Sequence, residues 1–170
     1  EGVGTEVDPT TLTTQEILEK VKAAGIVGLG GAGFPTHVKL APKNPAAIKY
    51  VIANGAECEP YITCDDQLMR NYADEIVGGL KIMLQLFPNA EGVVLIEENK
   101  PEAIAAVQKV CANENKIHVH PVHVKYPQGG ERAIMDVVAG KHIKLGMLPA
   151  DVGCVVDNVA TVRAIYRAVA

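Results

Sequence analysis

The sequence predicts an α/β domain with a mostly parallel sheet of about four strands. Short apolar runs alternate along the chain with segments of helical periodicity, and the runs are unbroken by polar residues, which is typical of strands buried on both faces. The chain has 170 residues and is 48% hydrophobic, enough for one full core. We expect the strands at about residues 50–53, 93–96, 116–124 and 152–156.

Helices are expected on either side of these strands. Thr13 or Thr14 can cap the first helix, which should end near Gly25, and Pro88 closes the longest one. Pro101 suits the first turn of another, where its missing N–H costs nothing. The expected helices are residues 13–24, about 68–86, 101–111, 129–138 and 158–169, while residues 58–66 are expected to form a loop.

The chain is expected to hold one folded domain. Residues 1–12 are polar and lack periodicity, which predicts an N-terminal linker, and residues 13–170 form the α/β domain. In parallel sheets ligands bind beyond the carboxyl ends of the strands. That rule selects the loops after Ala53, Val124 and Val156.

Composition excludes several classes of partner and site. A net charge of −4 without any basic block argues against nucleic-acid binding. No apolar run approaches the roughly 20 residues of a membrane helix, so no direct membrane insertion is expected. None of the four cysteines forms a C-x-x-C pair, so the sequence contains neither a zinc ribbon nor a run of iron–sulfur ligands.

A glycine-rich segment, residues 28–39 (GLGGAGFPTHVK), is the most distinctive part of the chain. Glycine permits positive φ and lets a ligand approach backbone N–H groups closely. The segment matches G-x-G-x-x-G, but it follows a predicted helix rather than a strand, and Pro35 prevents a long helix from starting there. It therefore predicts a ligand-cradling turn that differs from an ordinary dinucleotide loop.

Polar motifs occupy the three selected loops. Residues 54–61 (NGAECEPY) supply an amide and two carboxylates, and residues 126–131 (YPQGGE) lead into a helix whose N-terminus favours anions. Residues 157–161 (DNVAT) either bind polar ligand edges or cap the last helix.

Together the four motifs, in this order and spacing, resemble the RnfC subunit of the Rnf electron-transport complex, and more distantly the flavin-bearing subunit of respiratory complex I. The resemblance runs from about Thr13 to Ala170. It implies a Rossmann-like, three-layer domain with an unusual glycine-rich flavin loop. Such a domain would bind FMN non-covalently and accept hydride from NADH.

The resemblance also implies roles for individual residues. Those expected to bind FMN are Gly28, Leu29, Gly30 and Gly31 in the turn, Lys39 at the phosphate, Asn54 and Glu57 at the ring edge, Gly129 and Gly130 on the ring, and Asp157, Asn158 and Thr161. Those expected to contact NADH are Phe34, Glu59, Tyr126 and Glu131. No catalytic nucleophile or base is expected, because the flavin carries the redox chemistry.

The implied setting is a membrane-bound complex. Electrons would pass from NADH through FMN to iron–sulfur clusters in parts of a longer polypeptide that this sequence lacks, and then to ferredoxin, coupled to ion movement. Other Rnf subunits would be partners, and the domain would lie peripherally on the cytoplasmic face of the membrane. A cobalamin reductase of bacterial microcompartments and a non-catalytic docking scaffold are the alternatives.

Structural roles remain open for several of these side chains. Phe34 could belong to the core. Solvent exposure alone could explain Lys39, Glu57 and Glu59, and Asp157 and Asn158 could serve only as caps of the last helix. Three histidines on the predicted third strand are expected to face solvent rather than bind a metal, and no metal site is expected. They are His118, His120 and His123.

Overall fold

The computed structural model describes residues 7–29, 33–57, 63–123 and 148–170. They contain one four-stranded sheet in which every strand pair is parallel and the order is β3-β2-β1-β4. The strands are β1 (Tyr50–Gly55), β2 (Glu91–Glu97), β3 (Ile117–Val122) and β4 (Cys154–Asn158). The predicted fold class is confirmed, and each strand lies within a few residues of its expected place.

Six α-helices are present in the described residues: α1 (Thr14–Ala23), α2 (Thr36–Lys39), α3 (Cys64–Asn71), α4 (Ala73–Gln85), α5 (Pro101–Cys111) and α6 (Val159–Val169). The start of α1 is fixed by a reciprocal cap. The backbone N–H of Thr13 donates to Glu16 Oε2 over 2.8 Å, and that of Glu16 donates to Thr13 Oγ1 over 3.3 Å. None of these helices has the length and apolar character needed to cross a bilayer.

The prediction of a single long helix at 68–86 was wrong, because the helix is interrupted at Tyr72, which separates α3 from α4. Tyr72 has φ −136° and ψ 36°, outside the helical region. The Arg163 guanidinium of α6 stacks 3.7 Å from the centre of the Tyr72 ring, and its Nε donates to Glu75 over 2.7 Å. Contacts with α6 therefore accompany a break that helical periodicity does not show. Cys64 to Asp66, expected in a loop, form the first turn of α3.

Both faces of the sheet are buried, which explains the unbroken apolar strands. On one face, side chains such as Val51 and Ile96 belong to the core that includes residues of α1 and α3 to α6. On the other face, Ile52, Leu95 and Val156 form a second apolar cluster. The helix expected at 129–138 lies outside the described residues.

A close contact between α4 and α6 depends on glycine. A Cβ at Gly79 would overlap the carbonyl oxygen of Val162, and one at Gly78 would lie 2.6 Å from the Tyr166 ring. The two helices can therefore approach closely only because α4 has no side chains at these positions.

The two ends of the described chain meet. The backbone N–H of Val7 donates to the carbonyl of Ala170 over 2.9 Å, and Lys20 Nζ donates to Val169 O over 3.2 Å. Residues Pro9–Thr11 form a short 3₁₀ turn between this contact and α1. The division into a linker and a domain stays a prediction.

Candidate functional site

The carboxyl edge of the sheet brings three distant parts of the chain together. Asn54, near the end of β1, lies level with Leu95 of β2 and Asn158 of β4. The glycine-rich turn reaches the same edge, because the backbone N–H of Leu29 donates to Thr161 Oγ1 over 3.0 Å. This convergence is the geometry that a ligand site at the end of a parallel sheet requires.

A tight hairpin carries the described part of the glycine-rich segment. The N–H of Gly28 donates to Phe34 O over 2.9 Å, and that of Thr36 donates to Ile26 O over 3.0 Å. Gly33 has φ +66°, in the left-handed region that glycine adopts without strain. Phe34 is 50% exposed, so it is not part of the core.

Lys39 is held at the end of β4 rather than solvated freely. Its Nζ donates to Val156 O over 2.8 Å and to Asp157 Oδ1 over 3.0 Å. The Lys39 side chain is 23% exposed, whereas that of Asp157 is fully buried. A partly desolvated ammonium group, oriented by a buried carboxylate, therefore stands at the carboxyl edge of the sheet.

The turn after β1 is stabilised by its own polar side chains. Asn54 Oδ1 accepts the N–H of Ala56 over 3.0 Å. Glu57 Oε1 accepts the N–H of Asp65 over 3.3 Å, at the first turn of α3, where Thr63 provides no side-chain cap. A hydrogen bond with Glu57 also raises the pKa of the Cys64 thiol. Glu57 therefore acts as a helix cap within this edge.

Asn158 connects α6 with α3. Its Oδ1 accepts the N–H of Ala160 over 2.8 Å, which caps α6, and its Nδ2 donates to Asp65 Oδ2 over 2.7 Å. Burial raises the pKa of Asp65, the hydrogen bond from Asn158 opposes that shift, and the charge of Glu57 adds to it. The expected capping role is thus observed, together with a side-chain contact that the sequence did not indicate.

Two further buried groups were missed by sequence reasoning, one at this edge and one where the hairpin leads into α2. Glu97, the last residue of β2, is 2% exposed, and burial raises its pKa. Thr36, at the start of α2, is fully buried. Within the described residues, neither Glu97 Oε1 nor Thr36 Oγ1 has a hydrogen-bond partner. Only the parity of Glu97 with Val93 and Leu95 could have signalled its burial.

The structure brings most of the described candidates to one edge. Those placed there or on the adjoining hairpin are Gly28, Leu29, Phe34, Lys39, Asn54, Glu57, Asp157, Asn158 and Thr161. The candidates that lie outside the described residues are Gly30, Gly31, Glu59, Tyr126, Gly129, Gly130 and Glu131.

The histidines follow the sequence prediction. His118, His120 and His123 are exposed, and His123 Nδ1 lies 2.6 Å from Glu98 Oε2. Throughout the described ranges, no group of three or more potential ligands could hold a metal ion.

The described side of this edge and the adjoining hairpin carry groups that an anionic ligand such as a phosphate could bind. Lys39 offers a cation, and Glu97 Oε1 and Thr36 Oγ1 are buried polar atoms still lacking a protein partner among the described residues. On the hairpin, a Cβ added at Gly33 would meet no other atom within 4 Å, so the backbone there is open to approach.

Comparison with known proteins identifies the family. The family model for the Nuo51 FMN-binding domain matches residues 21–167. The C subunit of the ion-translocating oxidoreductase complex of Pasteurella multocida is 42% identical over 95% of this chain and 19% of its own length. The C subunit of the proton-translocating ferredoxin:NAD(+) oxidoreductase complex of Clostridium ljungdahlii is 44% identical over 99% of this chain and 37% of its own.

A third relative agrees with this assignment, and a solved structure shares the fold. The C subunit of the Na(+)-translocating ferredoxin:NAD(+) oxidoreductase complex of Acetobacterium woodii is 46% identical over 85% of this chain and 33% of its own length. An NAD+-reducing [NiFe]-hydrogenase in the air-oxidized state shares the fold, with a TM-score of 0.74 and 24% identity over 94% of this chain and 30% of that one. The chain thus spans less than two fifths of each curated relative. It belongs to the family of Nuo51 FMN-binding domains, and its relatives within that family are C subunits of ion-translocating oxidoreductase complexes.

Proposed function

We propose that this domain binds FMN at the carboxyl edge of its sheet and accepts hydride from NADH, within the RnfC subunit of an ion-translocating NADH:ferredoxin oxidoreductase. The observation that carries the proposal is the pair of contacts, Leu29 with Thr161 and Lys39 with Asp157, that join the glycine-rich hairpin to the β4–α6 junction. Membership of an FMN-binding family supports the choice of ligand.

Lys39 would bind the FMN phosphate. A lysine gives phosphate a compact point charge, and Asp157 and Val156 O hold that charge in place. Asn54 and Glu57 would face the ring edge from the end of β1, while Asn158 and Thr161 would complete the site from α6.

The remaining roles follow the resemblance. The further flavin contacts that the resemblance implies are Gly28, Leu29, Gly30, Gly31, Gly129, Gly130 and Asp157. The NADH contacts that it implies are Phe34, Glu59, Tyr126 and Glu131. Bound FMN would supply the hydride acceptor. The chain's own residues then need only bind, orient and exclude water, so the proposal requires no nucleophile.

The wider setting of the relatives is part of the proposal. Electrons would leave the flavin for iron–sulfur clusters outside these residues and reach ferredoxin, with other subunits as partners. The domain would lie peripherally at the cytoplasmic face of the membrane. The names of the Clostridium and Acetobacterium relatives, which specify ferredoxin and NAD(+), support this setting.

Flavin titration of the purified domain tests the proposal. We expect the fluorescence of FMN to be quenched with a dissociation constant below about 10 μM, the affinity of a modest specific site. Anaerobic NADH should then bleach the absorbance of the bound flavin. The absence of quenching at roughly ten times that concentration would favour the docking scaffold. NADH-dependent reduction of added cobalamin by the FMN-loaded domain would favour the cobalamin reductase.

A further inference from the structure

Glu97 is a buried acid at the carboxyl edge that none of the assigned roles uses. The β1–β2 register pairs Gly55, the last residue of β1, with Ile96, so Glu97 lies one residue beyond that pair at the carboxyl edge. Side chains alternate along a strand, so Glu97 lies on the same face of β2 as Val93 and Leu95. Val93 and Leu95 belong to the apolar cluster that also contains Ile52 and Ala56. Asn54 lies on that face by the same alternation.

One oxygen of the Glu97 carboxyl group has no hydrogen-bond partner among the described residues, although buried carboxyl groups normally have one. Glu97 is only 2% exposed, and within the described ranges its Oε1 atom has neither a hydrogen-bond donor nor an acceptor beside it. Leaving a buried polar atom unpaired is unfavourable, and leaving a buried charge unpaired is more so. A bound ligand would remove that cost.

The surroundings of Glu97 raise the pKa of its carboxyl group. Burial is the largest influence on its pKa and raises it, and the charge of Glu57 on the β1 side raises it further. Lys100, in the turn before α5, lowers the pKa by a smaller amount than burial raises it. On the β3 side, His123 is paired with the exposed Glu98. The net effect is a pKa above the ordinary value, so Glu97 stays neutral over a wider range of pH than an exposed glutamate does.

We propose that Glu97 is a further residue of the flavin site, a neutral carboxylic acid whose O–H donates a hydrogen bond to an acceptor on the edge of the isoalloxazine ring. The inference rests on the proposed function, because it needs the ring as its acceptor. With Glu57 as an acceptor on the β1 side, the ring edge would meet one donor and one acceptor from neighbouring strands.

Protonation is tested first in the flavin-free protein. A folded-state pKa above the ordinary value means that the folded state binds more protons, so the free energy of unfolding falls as the pH rises through that pKa. Glu97→Gln keeps the shape of the side chain but cannot ionise. We expect its urea-unfolding free energy to fall less than that of wild type between about pH 5 and about pH 9. Glu19→Gln, at an exposed glutamate of α1 whose side chain accepts a hydrogen bond from Gln15, should keep the wild-type slope.

Contact with the ring is tested with riboflavin, which lacks the titrating phosphate. Wild-type affinity should fall by up to about tenfold per pH unit above the pKa of Glu97, because only the acid donates. Glu97→Gln retains an N–H donor, so its affinity should change less with pH. At the acid end of the range, Glu97→Leu should bind FMN and riboflavin about tenfold more weakly than wild type does. The loss should be the same for both flavins, because the contact is with the ring that they share.

The outcomes separate the inference from the proposed function. If wild type binds FMN, and Glu97→Leu binds FMN and riboflavin as tightly as wild type does, then Glu97 does not contact the ring. That result overturns only the inference. A Glu97→Gln protein with the wild-type pH slope in both experiments also overturns it, because Glu97 is then not the titrating acid. If wild type binds no flavin at all, the proposed function fails and removes the acceptor that Glu97 requires.

Discussion

Lys39 shows how one residue can serve both the fold and a ligand. It lies four residues after Pro35, the residue that closes the hairpin, yet its ammonium group bonds to the end of β4, more than a hundred residues along the chain. Asp157 is fully buried, so removing Lys39 would take away the cation that this carboxylate contacts. The same ammonium is the proposed phosphate ligand.

Replacing Lys39 with alanine should weaken FMN binding by about tenfold to a hundredfold, the loss expected for a charge-assisted hydrogen bond of about 1.5–3 kcal/mol. Riboflavin lacks the phosphate, so its affinity should change by less than about threefold. The ratio of the two dissociation constants, measured by fluorescence, is insensitive to any loss of folded protein. Lys43→Ala, an exposed lysine of the next turn, is the matched control. Equal losses for both flavins would remove Lys39 from the phosphate site.

Sequence patterns did not predict which acidic residues folding would bury at the carboxyl edge. Glu57, Asp65 and Glu97 all carry charge in the unfolded chain, and nothing in the local pattern shows that folding brings them together at one edge. Their placement depends on strand register and on the packing of α3, which are long-range effects. Motif resemblance indicated Glu57, but only the folded chain showed Asp65 and Glu97.

Among the elements, strands and most helices followed from periodicity and turn residues, because each has a local signal. The break at Tyr72 has none: no glycine or proline occurs there, and apolar spacing continues from α3 into α4. The contacts of Arg163 with Tyr72 and Glu75 come from another helix. Within the described residues, sequence periodicity therefore predicted the longer helical segments but merged two of them.

The close packing of α4 on α6 gives a prediction for Gly79. Gly79→Ala should lower the free energy of unfolding by about 1–3 kcal/mol, because its Cβ would overlap the backbone oxygen of Val162, which cannot move alone. Gly78→Ala is the matched control. Its Cβ would meet only the Tyr166 side chain, which is partly exposed and can rotate, and alanine favours the helix by about 1 kcal/mol.

Urea denaturation of both variants measures the difference. Since α6 also carries Thr161, which holds the hairpin through Leu29, Gly79→Ala should weaken FMN binding more than Gly78→Ala does. Equal stability of the two variants would show that the helices can separate without cost.

For the molecule as a whole, the site is assembled by long-range contacts, so ligand binding should stabilise the entire fold. FMN at about a hundred times its dissociation constant should add about 2.7 kcal/mol to the free energy of unfolding. For a domain of this size that corresponds to a rise in Tm of roughly 5–10 °C. Thermal denaturation with FMN checks it, with inorganic phosphate at the same concentration as control. A Tm unmoved by FMN would contradict binding at this edge.

The hydrogen bond between Val7 and Ala170 has a consequence for how further polypeptide could be attached to this domain. Helix α6 starts at the carboxyl edge and runs for 11 residues, about 16 Å, before it reaches Ala170. Polypeptide joined to Val7 and to Ala170 would leave the domain side by side, at the end of α6 that lies away from the edge proposed to bind FMN. An attached module would then be anchored away from the proposed cofactor site.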